Sequence, residues 1–133
     1  MALSVEYSIF ADKAIIEETT RKLSLIGMFN AVTPDYPVIP TVAFFCIISG
    51  APGYYDVEVK ISWVTEDEQE TEFHKFPAHL EIGSSGRTQF TFNSVGLPLV
   101  GKGLRFRIYD GNTEIHQNTI PILERPEHDQ PRA

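Results

Sequence analysis

Apolar residues recur at every second position through most of this chain, the period of a strand with one buried face. Leu3, Val5, Tyr7 and Ile9 alternate with Ser4, Glu6 and Ser8, which predicts a half-buried first strand. The alternation breaks at Phe10-Ala11-Asp12-Lys13, and Ala14 to Glu18 fits either more strand or a short helical turn. Thr19-Thr20-Arg21 reads as a turn. From Lys22 to Asn30, Leu23, Leu25, Gly27 and Phe29 share one side, while Ser24, Ile26, Met28 and Asn30 share the other. Apolar residues on both sides predict a strand near the middle of a sheet, not at its edge.

Thr33 to Pro40 carries Pro34, Pro37 and Pro40, which predicts a loop and excludes helix and a ladder-forming strand. Thr41 to Ser49 is a nearly continuous apolar strand, closed by the turn residues Gly50 to Gly53. Tyr55 to Val64 has the clearest pattern: Val57, Val59, Ile61 and Trp63 inward, Asp56, Glu58, Lys60 and Ser62 outward. Glu66 to Glu70 is an acidic, solvated hairpin connection. Thr71 to Ile82 is a strand whose Pro77 marks a bulge or an edge position.

Gly83 to Gly86 turns the chain into a strand from Arg87 to Asn93, and Leu97 to Lys102 links it to the next. Leu104, Phe106 and Ile108 alternate with Arg105, Arg107 and Tyr109, and Asp110-Gly111 signals a tight hairpin. The return strand, about Thr113 to Leu123, slips phase between Ile115 and Ile120, which predicts a bulge. Residues 124–133 are proline-bearing and charged, and are expected to be a disordered tail beyond one domain at 1–123.

Seven or eight short strands without a helix predict an all-β fold, an antiparallel β-sandwich with immunoglobulin-like or Greek-key connections. A small β-barrel is the alternative. The chain's 133 residues suffice for one core without staples. With 42% hydrophobic and 22% charged residues, the composition is that of an ordinary globular domain. A net charge of −7 argues against nucleic acid as a partner and against anionic membrane surfaces. No run reaches the roughly 18 apolar residues of a membrane span. Cys46, the single cysteine, lies within an apolar strand, so no intramolecular disulfide forms. With no signal peptide visible at residues 1–6, a reducing, cytoplasmic setting is expected.

Phe10-Ala11-Asp12, the run Lys22-Leu23-Ser24-Leu25-Ile26-Gly27-Met28-Phe29-Asn30, the proline-bearing loop through Pro37 and the closing hairpin from Gly103 to Gly111 together resemble a family of small bacterial β-sandwich proteins of unknown function. Arg21 stands where that family has glycine, and the link at 97–102 is longer. The resemblance implies a fold and carries no catalytic residue.

Candidate chemistry is sparse. His74 and His79 are five residues apart and point to opposite faces of a regular strand, and neither Cys46 nor Asp12 is placed to complete a zinc site. His128 lies in the tail and His116 on the return strand. Glu66 to Glu70 would need carboxylates from other loops to hold calcium. Ser84-Ser85-Gly86 lacks a nucleophile-elbow setting, and the short Gly83–Gly86 and Gly101–Gly103 segments lack the strand-to-helix setting of a phosphate loop. No catalytic, cofactor or metal residue is therefore assigned, and no enzyme is expected.

Excess apolar surface is the stronger signal. A two-layer sandwich has one inner face per sheet, so Ile26, Met28, Phe45 and Ile47 are expected to point outward as a protein interface. The alternative is that residues 33–40 or 97–102 cover them. The expected function is a non-enzymatic module working by protein contact, as a homodimer, other homo-oligomer or accessory subunit. A carbohydrate or small-ligand binder using Tyr36, Tyr54, Tyr55 and Tyr109 as stacking surfaces is the second reading.

Overall fold

The period-two stretches become eight strands in the computed structural model, which describes residues 3–16, 18–20, 22–29, 31–32 and 38–123. They are β1 (Ser4–Ile16), β2 (Leu23–Phe29), β3 (Val38–Ser49), β4 (Gly53–Val64), β5 (Glu70–Ile82), β6 (Arg87–Pro98), β7 (Gly103–Asp110) and β8 (Thr113–Pro121). No helix occurs among the described residues. One sheet has the order β2-β1-β3-β6 and the other β5-β4-β7-β8, with every neighbouring pair antiparallel. Two separate sheets make this a sandwich and not a closed barrel. With β2 set aside, β1-β3-β6 faces β5-β4-β7-β8, and the chain changes sheet at β3–β4, β5–β6 and β6–β7. That is an immunoglobulin-like Greek-key order.

The core lies where β1, β3 and β6 face β4, β5 and β7. Phe44 stacks on Phe106 at 4.9 Å between ring centroids, Phe10 meets Phe106 at 5.2 Å, and Phe76 stacks on Phe92 at 4.6 Å. Aromatic side chains suit this layer because each fills much of the gap of about 10 Å between packed sheets. Trp63 closes one margin: its ring stacks on Phe73 at 4.4 Å, and its Nε1–H donates to the Pro98 carbonyl of the opposite sheet at 3.1 Å.

Several sequence expectations are corrected. β2 is an edge strand, not a central one; β1 and β3 hold the middle of that sheet. Its two apolar sides therefore do not reflect burial on both faces. The first strand runs on to Ile16 with no helical turn. Its register shifts between Val5 and Tyr7, so Glu6 is an extra residue and the faces exchange. Val5 packs towards the core, whereas Tyr7 is exposed and the next inward residues are Ser8 and Phe10. A strand also forms where prolines argued for a loop. β3 begins at Val38 and pairs with Pro98 and Leu97, with β1 absent from that end of the ladder. Residues 33–37 and the tail from 124 lie outside the described residues.

β6 runs to Pro98, so the link to β7 is shorter than the sequence suggested, and Leu97 and Leu99 enter the core. Pro77 lies on the edge strand β5, where its missing N–H costs no ladder bond, while the irregularity in that strand falls at Phe73. In β8 the bulge is at Ile115. Gly111, with φ +61°, begins the two-residue connection from Asp110 to Thr113.

Candidate functional site

The outer face of the β2-β1-β3-β6 sheet is built by alternation on its two central strands. On β3, Val42, Phe44, Cys46 and Ile48 point into the core, which sends Ala43, Phe45 and Ile47 outward. On β1 the bulge at Glu6 puts Tyr7, Ile9 and Ala11 beside them, with Tyr7 paired to Ile47, Ile9 to Phe45 and Ala11 to Ala43. Met28 continues the Ala11 row onto β2, and Ile26 pairs with Lys13. Met28 is 64% exposed and Ile26 43%. At the opposite edge Val95 is 82% exposed. Most of the exposed large hydrophobic residues of the described chain lie on this one sheet.

The four residues singled out from sequence thus share one face but not one exposure. Ile26 and Met28 stand out from β2, Ile47 is half-buried, and Phe45 is only 6% exposed because neighbours on its own face, Tyr7 among them at 6.2 Å, cover it. Tyr7, Ile15 and Val95 belong to the same sheet and were not picked out by periodicity. The bulge hid Tyr7, and nothing in the sequence marks it, because Glu6 falls on a polar position of the alternation. The segment at 97–102 does not cover this face, since Leu97 and Leu99 point into the core.

The outer face of the other sheet is of opposite character. Glu70 bonds both Arg105, at 3.2 Å, and Arg107, at 3.0 and 2.5 Å, reaching across β4 to do so. Arg107 also donates to Glu114. Hydrogen bonds from Arg107 hold the Glu70 carboxyl below the ordinary carboxylate range, and those to Glu70 push the Arg107 pKa up. Lys60 stands 4.6 Å from the centre of the Tyr109 ring. A face this rich in charge presents a solvated surface.

A third feature lies where β1 faces β8. Asn118 Nδ2–H donates to Ser8 Oγ at 2.7 Å, and Ser8 Oγ is 2.7 Å from His116 Nε2. Burial lowers the His116 pKa and Glu114 opposes that shift. A neutral imidazole accepting from the serine hydroxyl satisfies all three groups. Beside them is a cavity of about 190 Å³ lined by Ser8, Ile9, Phe10, Phe29, Asn118 and Thr119. No carboxylate bonds the other ring nitrogen of His116 among the described residues, so the serine–histidine contact lacks the third member of a triad. It works as a polar tie between the sheets.

The remaining candidates do not converge. His79 pairs with Asp56 on the outer face, and His74 lies against Phe76 at 5.5 Å. No group of three potential metal ligands occurs among the described residues. In the acidic turn, Thr65 donates to Asp67 and lowers its pKa, while Glu68 pairs with Lys102. Cys46 is fully buried, and burial pushes its thiol up to about 12. Tyr54 is exposed, Tyr55 donates to the Ala51 carbonyl at 2.6 Å, and Tyr109 lies under Lys60, so they form no common stacking platform. Tyr36 lies outside the described residues. Among the described residues no helix is long and apolar enough to cross a membrane.

No family model and no curated protein matches the chain. Among solved structures it is similar to an immunoglobulin-like protein from Pseudomonas aeruginosa. The two share 11% identity over 92% of this chain and 98% of that one, with a TM-score of 0.47.

Proposed function

We propose that this chain is a non-enzymatic β-sandwich module that acts by protein contact through the outer face of the β2-β1-β3-β6 sheet. The observation that carries the reading is the difference between the two outer faces. One is rich in charge, with Arg105, Arg107, Glu70 and Glu114 paired within the sheet, whereas the other exposes Met28, Ile26, Tyr7 and Val95 to solvent. Exposed apolar area gains free energy when a partner removes it from water, at about 25 cal/mol per Å². An edge strand apolar on both sides, as β2 is, has use for that side only if something covers it. The reading includes the likeness to small bacterial β-sandwich proteins and a cytoplasmic setting, which a single buried thiol suits.

The test compares the wild-type chain with an Ile26→Glu/Met28→Glu double variant. Mass in solution and capture of proteins from the native cell are read for both. Contact through this face requires an association, with self or another protein, that the double variant loses. Identical behaviour of the two chains would rule the face out.

A further inference from the structure

Resting on the contact reading, we infer that the partner is a second copy of this chain, packed face to face about a two-fold axis beside Ile9 and Phe45. In that arrangement Lys13 of each copy lies against Glu6 of the other.

Each copy carries a net charge of −7, so two copies can meet closely only over a surface poor in acid. The central rows of this face, Ile9 beside Phe45 and Ala11 beside Ala43, carry no charge at all. Charge appears at the two ends of β1. At one end, Glu6 reaches over β3 to Arg87, whose Nε and Nη2 both sit on Glu6 Oε2, at 2.8 and 2.7 Å. Oε1 is left for another donor. At the other end, Lys13 forms no ion pair among the described residues.

Ile9 lies near the midpoint of the segment from Glu6 to Lys13. A two-fold axis through that midpoint reverses β1 upon itself, and it carries Lys13 onto the Glu6 end of the partner copy. Both contacts form at once, because an isologous interface repeats each contact. An axis displaced towards either end would leave Lys13 against apolar residues.

Size agrees. Four strands about 4.8 Å apart and ten residues of β1 at about 3.3 Å each give a face on the order of 600 Å². Specific interfaces bury roughly 600–1,000 Å² per partner, so the pair sits at the small end and dissociates on dilution.

Light scattering across a dilution series should show monomer and dimer in exchange. Met28→Glu should raise the dissociation constant by at least about tenfold. Ile9→Cys places a thiol beside the axis, so a short bis-maleimide should link two copies. Val95→Cys, paired with Thr41 and so displaced along the strands from the Ile9–Phe45 row at the axis, should give little linkage. Cys46 contributes no background because it is buried. Lys13→Glu should weaken the dimer, and Lys13→Glu with Glu6→Lys should recover part of it. Unchanged far-ultraviolet circular dichroism and melting show that each variant folds.

A monomer at every concentration overturns the inference, as does a dimer that Met28→Glu leaves intact or that links through Val95→Cys and not Ile9→Cys. If the chain is monomeric but captures another protein in a Met28-dependent way, the second copy is excluded while the contact reading stands. If no association depends on this face, both fall.

Discussion

Ser8 on β1 and His116 on β8, 108 residues apart in sequence, meet across the two sheets with 2.7 Å between Oγ and Nε2. The contact is made in the neutral form of the imidazole, because burial holds the His116 pKa below its ordinary 6.5. The unfolded chain therefore binds this proton first as pH falls. Stability from this group is complete above about 6.5 and is lost as pH drops from there towards the lower folded-state value. Urea midpoints measured from about pH 7.5 to about pH 5.5 should fall, and His116→Phe should flatten that slope. An equal slope in both proteins would show that another group is responsible. Glu70 acts in a lower window: its depressed pKa gives stability present above about 4.5 and lost below it.

Gly27 sits in β2 with φ +70°, and a Cβ there would meet the Asp12 carboxylate. Gly27→Ala is expected to cost about 1–2 kcal/mol for the left-handed backbone alone, with the clash in addition. Asp12→Ala should relieve the clash but not the backbone strain. A double-mutant cycle in urea should then show positive recovery in the pair. Additive losses would mean that Asp12 moves aside freely.

Cys46 should be chemically silent. A thiol pushed up to about 12 and fully buried presents almost no thiolate at neutral pH. Labelling by an alkylating reagent should require urea, and rapid labelling of the native chain would contradict the packing. Cys46→Ser should destabilise by roughly 1–3 kcal/mol, since the hydroxyl enters an apolar interior.

Phe106 and Met28 should separate fold from contact. Phe106 is fully buried among Phe10, Phe44 and Phe92, and Phe106→Ala should cost about 3–5 kcal/mol in chemical denaturation. Met28 is exposed, so Met28→Glu should change monomer stability by no more than about 0.5 kcal/mol. A large loss at Met28 would place it in the core and remove it from any interface.

Alternation by itself marked most of the strands of this protein and the inward direction of Val57, Val59 and Ile61. The reason is that a pleat puts neighbours on opposite faces wherever the strand lies. Short-range chemistry set the Gly111 hairpin in the same way. Position within a sheet is a different kind of information. β2 reads as a central strand because both its sides are apolar, and only the chain's path leaves it at an edge with Ile26 and Met28 uncovered. One extra residue at Glu6 exchanges the faces of β1, turning Tyr7 outward and Ser8 towards His116. A bulge is decided by the partner strand against which it is counted. The sharing of Glu70 between Arg105 and Arg107, and the gathering of the apolar residues of β1, β2, β3 and β6 on one sheet, likewise join segments far apart in sequence. Only the order and register of strands within each sheet select which of them meet.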